Sequence, residues 1–299
     1  MSRTLLLLAL GGIVVSVPGC GENLAGPPSS LSAPRNLKAL SIDESTVSLQ
    51  WNAPADIDSA FGGYTLEYGS VSIDLSRNEL MRTISSLPPG EELFTLSSRR
   101  SNGTKADGAS IRWAPATRFD SVYSLLEYTQ LLTGRASGLN VGSRTASPFT
   151  LEVNGSAGIA LDMYLFGGDG FSQEPLELFS ADLFAGSFRP TRFSTINHSS
   201  ASLDLPLAAF PADSTFTLHS VPVNDNTIYY ARVLINSVEV HFLRMHVRQR
   251  PGVAYPDRVI EVRLSLQRVI GLLFAGEERE RGLFSPGPAR TWNMQPNHS

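Results

Sequence analysis

The sequence contains 299 residues, of which 42% are hydrophobic and 17% are charged, and its formal net charge is −4 at pH 7. This composition excludes a polyelectrolyte chain and supplies enough apolar side chains for one large or two ordinary folded domains. It also argues against a nucleic-acid partner, because no basic excess is present to neutralise phosphates.

The chain begins with a positive residue and an apolar run. Arg3 precedes the run at residues 5–17, which is the layout of a secretory signal peptide. The run is shorter than the ~20 residues that a membrane-spanning helix needs. It leads into Val17-Pro18-Gly19-Cys20, which contains the single cysteine of the chain. This stretch resembles the lipobox of bacterial lipoproteins.

The resemblance implies that residues 1–19 are removed as a signal peptide and that Cys20 carries a diacylglycerol lipid. The lipid would hold the protein to a membrane outside the cytoplasm, and residues 20–33, rich in Gly, Pro and Ser, would form a flexible linker. Gly21 stands where an aspartate would have resembled the inner-membrane retention signal, so we expect the outer membrane, with the leaflet open. The alternative is an ordinary secretory peptide in which Cys20 is incidental.

Residues 34–105 carry short strands in a family-specific order. Pro34 leads into the alternating strand at 47–51, whose Trp51 falls on the apolar face, and Gly63-Tyr64 opens the next strand. Leu87-Pro88-Pro89-Gly90 then supplies a turn. This order of proline, tryptophan, Gly-Tyr strand and Leu-x-Pro-Gly turn resembles the fibronectin type III domain. The resemblance implies a β-sandwich with Trp51 in its core.

An internal repeat follows this domain. Residues 110–116 (SIRWAPA) match residues 48–55 (SLQWNAPA) with one residue deleted, and a similar Leu-Glu-Tyr segment follows each copy. The repeat predicts a second β-sandwich that begins near residue 106 and uses Trp113 as the first uses Trp51. Chance similarity between two β-segments is the alternative.

Residues 106–275 continue as short alternating strands with Gly and Pro between them. The clearest strand lies at 258–267, and similar alternation occurs at 149–153, 161–165, 203–207 and 229–235. The predicted fold class is all-β, a fibronectin type III-like β-sandwich followed by a larger antiparallel sandwich or jelly roll. Residues 276–299 are predicted to be a disordered tail.

Common catalytic and metal-binding motifs are absent from the sequence. His241 and His246 are five positions apart, so on one strand they would point to opposite faces and could not share a metal. Four aspartates beside turns could offer oxygen ligands to calcium, but capping of backbone amides is the favoured interpretation: Asp162, Asp169, Asp213 and Asp225. We therefore expect no metal, cofactor or catalytic residue.

One charged strand is the candidate binding surface. In the alternating run at 242–250, Leu243 and its apolar neighbours occupy one face. The opposite face would present a cationic strip to anionic sugars, lipid headgroups or the acidic groups of a protein partner: Arg244, His246, Arg248 and Arg250. The alternative is a solvated outer face with cross-strand partners such as Glu261 or Glu239.

Two functional classes fit these features. The first is a non-catalytic binding or scaffold lipoprotein that contacts protein or glycan through its sandwiches. The second is a polysaccharide hydrolase with a fibronectin-like accessory domain, whose paired carboxylates are distant in sequence. Because the chain lacks recognisable catalytic motifs, we favour the binding module.

Overall fold

The computed structural model describes residues 31–129, 135–143, 145–147, 161–168, 173–183, 189–235 and 238–274. Regular structure in these residues is almost entirely β-strand, and the paired strands are antiparallel, which confirms the predicted all-β class. The helical elements described are two short 3-10 helices, Ala181–Leu183 and Asp213–Thr215. Within the described ranges, no helix has the length and apolar character needed to cross a membrane.

Two sheets form the first sandwich. Three strands make one sheet, in the order β1 (Arg35–Asp43), β2 (Thr46–Asn52), β5 (Met81–Ile84). Four strands make the other, in the order β4 (Val71–Leu75), β3 (Phe61–Tyr68), β6 (Glu92–Arg100), β7 (Lys105–Trp113).

The apolar residues that alternate along β2 and β3 meet in the core of this sandwich. Val47, Leu49 and Trp51 are buried, as are Tyr64 and Leu66 opposite them. The rings of Trp51 and Tyr64 lie edge to face with centroids 5.6 Å apart, a favourable aromatic geometry. The predicted core position of Trp51 is therefore confirmed.

The repeated tryptophan belongs to the first sandwich and does not begin a second one. Trp113 is the last residue of β7, which pairs with β6 along its length. Its ring is fully buried in the same apolar cluster as Trp51, and its Nε1 donates to Ser41 Oγ at 3.0 Å. The interpretation of residues 110–116 as the start of a new sandwich is thus wrong, because the segment completes the sheet of the first.

A second pair of sheets follows. Six strands form the larger sheet, in the order β14 (Phe216–Leu218), β13 (Thr191–Ser199), β16 (Thr227–Ile235), β17 (Glu239–Gln249), β18 (Val259–Leu266), β8 (Thr117–Leu126). Five strands form the smaller sheet, in the order β10 (Thr145–Ser147), β9 (Gly138–Asn140), β11 (Met163–Phe166), β12 (Glu177–Ser180), β15 (Ser220–Pro222).

Alternation correctly places the core of this second half. Apolar side chains of β16, β17 and β18 lie on one face of the larger sheet and contact those of β11 and β12 on the smaller sheet. The predicted strands at 161–165, 229–235 and 258–267 are present. Residues 203–207 are not a strand, and Leu203 and Leu207 are buried within a loop. Leu207 packs in the apolar cluster that contains Tyr230 and Phe242, on the other face of the larger sheet.

The apolar core continues between the two halves. Leu207 exchanges two backbone hydrogen bonds with Ala39 on β1, at 2.9 and 3.0 Å. Phe274 contacts the Trp113 ring and stacks on Phe210, with centroids 4.6 Å apart. One apolar cluster consequently includes residues of both sandwiches.

Several predictions lie outside the described residues. These are the signal peptide, Cys20 and most of the linker, the strand at 149–153, Asp169, and the tail at 276–299. They stay predictions.

Candidate binding surfaces

The four residues of the predicted cationic strip do not share one exposed surface. Arg244 and His246 are buried, at 2% and 6% exposure, whereas Arg248 and Arg250 are exposed. This corrects the predicted strip. Alternation does place all four on one face of β17, but the loop of residues 200–207 covers the half that carries Arg244 and His246.

Arg244 holds this covering loop in place. Its Nη2 donates to the Leu205 carbonyl at 2.5 Å. Burial lowers the pKa of Arg244 to about 10, so the guanidinium stays charged at neutral pH. Asp204 in the same loop forms an ion pair with Arg118 on β8 at 2.5 Å. Because the Arg244 side chain is buried and bonded to the covering loop, it is unavailable to a partner.

His246 makes the second attachment of the loop. Its Nε2 lies 2.9 Å from the Ser200 carbonyl. Burial lowers the pKa of His246, and Arg263 and Arg248 act in the same direction. His241 lies five positions earlier on the same uninterrupted strand, so it faces the opposite side, where its Nδ1 is 2.9 Å from the Gln267 carbonyl.

The exposed end of the same face carries a smaller arginine surface than predicted. Arg248 on β17 is directly opposite Glu261 on β18, and Arg263 is its diagonal neighbour. The Glu261 carboxylate contacts Arg250 at 3.1 Å. Neither Arg248 nor Arg263 has an ion-pair partner among the described residues. We call these three residues, Arg248, Arg250 and Arg263, the arginine surface.

Arg263 was missed from the sequence because it lies on a different strand. Residues 258–267 show it on the polar side of an alternating run, but alternation alone does not reveal which strand is the neighbour. The antiparallel register of β17 and β18 brings Arg263 beside Arg248.

An open groove on the first sandwich was also missed. It has a volume of about 590 Å³ and lies across the ends of β1, β2 and β5. Amide side chains, one lysine and two exposed apolar residues line it together with Glu79 and Trp51: Asn36, Gln50, Asn52, Lys38, Leu80 and Met81. The groove joins three strands that are separated in sequence, so no local motif marks it.

The two fully buried carboxylates of the described residues are each held by an arginine. Glu127 Oε2 accepts hydrogen bonds from Arg258 Nη2 at 2.6 Å and Nε at 2.9 Å. Asp162 Oδ2 accepts from Arg189 Nη2 at 2.9 Å and from the Val141 amide at 2.6 Å. Burial nevertheless raises the pKa of Asp162 to about 6.

The aspartates considered for calcium are engaged by protein groups. Asp162 pairs with Arg189, Asp213 contacts Arg232 at 2.9 Å, and Asp225 accepts from the Gln249 amide at 2.8 Å. The part of the chain that the structure describes contains no group of three His, Cys, Asp or Glu side chains arranged to hold a metal ion.

The fibronectin type III domain family matches residues 32–103. These residues therefore form a fibronectin type III domain, as the resemblance implied. No curated protein matches the chain.

Three of the solved structures with some likeness to the chain are the following. The domain of human fibronectin type III domain containing protein 3 is 19% identical, covering 30% of this chain and 91% of that one, with a TM-score of 0.25. A two-domain segment of chicken tenascin is 12% identical, covering 68% and 90%, with a TM-score of 0.26. The Yersinia enterocolitica family 28 exopolygalacturonase is 17% identical, covering 29% and 21%, with a TM-score of 0.25. The family match, and not these likenesses, identifies the domain.

Proposed function

We propose that this protein is a lipoprotein of the cell envelope that acts as a non-catalytic binding or scaffold module for an anionic protein or glycan. The fibronectin type III domain at residues 32–103 supports a binding role, because such domains commonly serve as binding or scaffold modules. Residues 1–20 support the tether through their resemblance to a lipoprotein signal, and Gly21, in place of the aspartate of the inner-membrane retention signal, supports the outer-membrane location.

The arginine surface is the observation that carries the choice of an anionic partner. Arg248 and Arg263 are exposed, adjacent, and without an ion-pair partner among the described residues. A guanidinium presents five N–H donors and forms bidentate contacts with carboxylate or sulfate groups. Two free guanidinium groups on neighbouring strands therefore suit an anionic polymer better than a neutral one.

The burial of Glu127 and Asp162 argues against these two acids as the catalytic pair of a hydrolase. Glycoside hydrolysis commonly uses two carboxyl groups that flank the scissile bond. Glu127 and Asp162 instead lie at 0% exposure, each against an arginine. Such carboxylates stabilise the fold and are not accessible to a substrate in solution.

The tether is tested by replacing the cysteine. We expect Cys20→Ala to release the protein from membranes or to leave its signal uncleaved, because the lipid attaches through the Cys20 sulfur. Detergent phase partitioning and the mass of the mature N-terminus measure both effects. A variant that stays in the membrane fraction with normal processing would contradict the lipoprotein assignment.

The arginine surface is tested with dextran sulfate as the probe and neutral dextran as the blank. We expect the double variant Arg248→Ala/Arg263→Ala to bind dextran sulfate about tenfold more weakly, since each exposed ion contact contributes up to about 1 kcal/mol. Raised salt should weaken the wild type in the same way.

The matched control removes the same net charge elsewhere. Lys105 and Arg112 are exposed on β7 and each is already paired, with Glu67 and Glu91. Lys105→Ala/Arg112→Ala should bind dextran sulfate nearly as the wild type does. Equal weakening in both double variants would mean that only net charge matters, and the arginine surface would lose its assignment.

A further inference from the structure

Strand β5 lies at the edge of the sheet formed by β1, β2 and β5. It pairs with β2 on one side, and no described strand pairs with its other side. An open strand edge is a template for pairing with another extended chain, and proteins usually shield it. The outward backbone groups and the side chains of this edge therefore determine which extended chain could pair with β5.

The register fixes which backbone groups of β5 point outward. Trp51 N–H donates to the Leu80 carbonyl at 3.0 Å, and Leu49 pairs with Arg82 two residues further along. In an antiparallel pair the hydrogen-bonded positions alternate. The N–H and C=O groups of Leu80 and Arg82 thus face β2, whereas those of Met81 and Thr83 face away from the sheet.

Apolar side chains accompany these outward groups. Leu80, just before β5, and Met81 at its start are 45% and 55% exposed, so apolar surface lies open beside this edge. Both also line the open groove, beside Gln50. An added strand would bury these two side chains while its backbone pairs with Met81 and Thr83.

The charge at this edge distinguishes a foreign peptide from a second copy of the chain. In the register that matches Met81 with Thr83, two copies of β5 paired about a two-fold axis would place Arg82 directly opposite its own symmetry mate. Like charges directly opposite each other destabilise a strand pair. Arg82 already forms an ion pair with Glu79 at 3.3 Å, and 42% of its side chain stays exposed, so an acidic side chain held opposite it by strand pairing would share its remaining donors. An acidic side chain opposite Arg82 is complementary to them.

We propose that β5 binds an extended peptide segment by strand addition, with an acidic residue opposite Arg82 and apolar residues opposite Met81 and Thr83. The two apolar residues of the partner exchange backbone hydrogen bonds with Met81 and Thr83, while the acidic residue contacts the Arg82 guanidinium. This surface is separate from the arginine surface, and the inference does not depend on lipidation of Cys20.

The test uses the full chain labelled with 13C at its methionine methyl groups and the capped heptapeptide TTVEVTT as the probe. We expect the Met81 methyl resonance to shift on titration. Met163 and Met245, buried in the second core, should not shift. The peptide TTVKVTT should bind about tenfold more weakly, because its lysine opposes Arg82.

Backbone methylation tests the register with the same unaltered protein. N-methyl groups on both valines remove the donors that pair with Met81 and Thr83, so binding should be lost. An N-methyl group on the glutamate, whose N–H points away from β5, should leave binding nearly unchanged.

A protein variant supplies an independent arm. Thr83→Pro removes an outward N–H that the sheet does not use, and proline is tolerated at such edge positions. This variant should keep the Met163 and Met245 resonances and bind TTVEVTT about tenfold more weakly. The proposal would be overturned if the valine-methylated peptide bound as well as the unmodified one, or if the Met81 resonance did not move. A dimer that forms without peptide and is abolished by Thr83→Pro would also overturn it, in favour of a second copy of the chain.

Discussion

At the scale of single residues, the buried charges show how this fold tolerates ions in its interior. The Arg258 side chain donates to the Glu127 carboxylate and also to the carbonyls of Gly167 and Glu174, at 3.0 and 2.8 Å. The Arg258 amide donates to the other Glu127 oxygen at 2.8 Å. A Cβ at Gly167 would overlap this carboxylate, so glycine is required for the close approach.

Removing Arg258 should be costly because Glu127 would stay buried and unpaired. We expect Arg258→Ala to lower the free energy of unfolding by about 3–5 kcal/mol, the range for breaking one side of a buried ion pair. Urea denaturation measures the change.

Arg250 provides the matched control, since it pairs with Glu261 at the surface, with both side chains partly exposed. Arg250→Ala should cost less than about 1 kcal/mol. Similar losses in the two variants would contradict the structural role assigned to Arg258.

At the scale of elements, the loop of residues 200–207 determines which side chains of β17 are exposed to solvent. Ser200 and Leu205 are attached to His246 and Arg244 through their carbonyls, and Leu207 is attached to β1. The loop therefore turns part of a charged strand into interior, and it leaves only Arg248 and Arg250 of the predicted strip in solvent.

The attachment through His246 makes the stability of the fold depend on pH. Burial holds the pKa of His246 in the folded state below its ordinary value of 6.5. The stability that neutral His246 contributes is complete above pH 6.5. It is lost as the pH falls toward the folded-state pKa, because the unfolded chain takes up the proton first. Arg248, Arg263 and Asp225 face the same ring. Burial and the charge of Arg244 also lower the pKa of His198.

We expect the wild type to lose stability relative to His246→Gln as the pH falls from 7 toward 5. Glutamine is chosen because its amide can still donate to the Ser200 carbonyl but does not titrate in this range. Urea midpoints measured across these pH values provide the test. Parallel curves for the two proteins would exclude His246 as the source of the dependence.

At the scale of the whole molecule, the two sandwiches share apolar surface. Trp113, Leu207, Phe210 and Phe274 lie in one cluster that reaches from the first core to the outer face of the larger sheet. Gln267 also donates to the Pro115 carbonyl at 3.0 Å, in the segment that joins β7 and β8. The fibronectin type III domain therefore packs against the second half of the chain, unlike a domain that is joined by a free linker.

The sequence by itself determined the positions of the most regular strands and their inward faces. Alternation with a period of two is a local property, so Val47, Trp51, Tyr229 and Val262 could be assigned to a core without knowledge of the fold. The fibronectin type III domain was predictable for the same reason, since its markers follow one another in order along the chain.

Only the tertiary structure decided which faces meet. Alternation assigns a residue to a face but does not say whether that face contacts solvent, another sheet or a loop. Arg244 was expected in solvent and lies in the interior, whereas Arg263 joined Arg248 through strand pairing. Trp113 closed the first sandwich because β7 pairs with β6. Burial, pairing and the open edge of β5 depend on contacts between distant segments, and local sequence does not encode them separately.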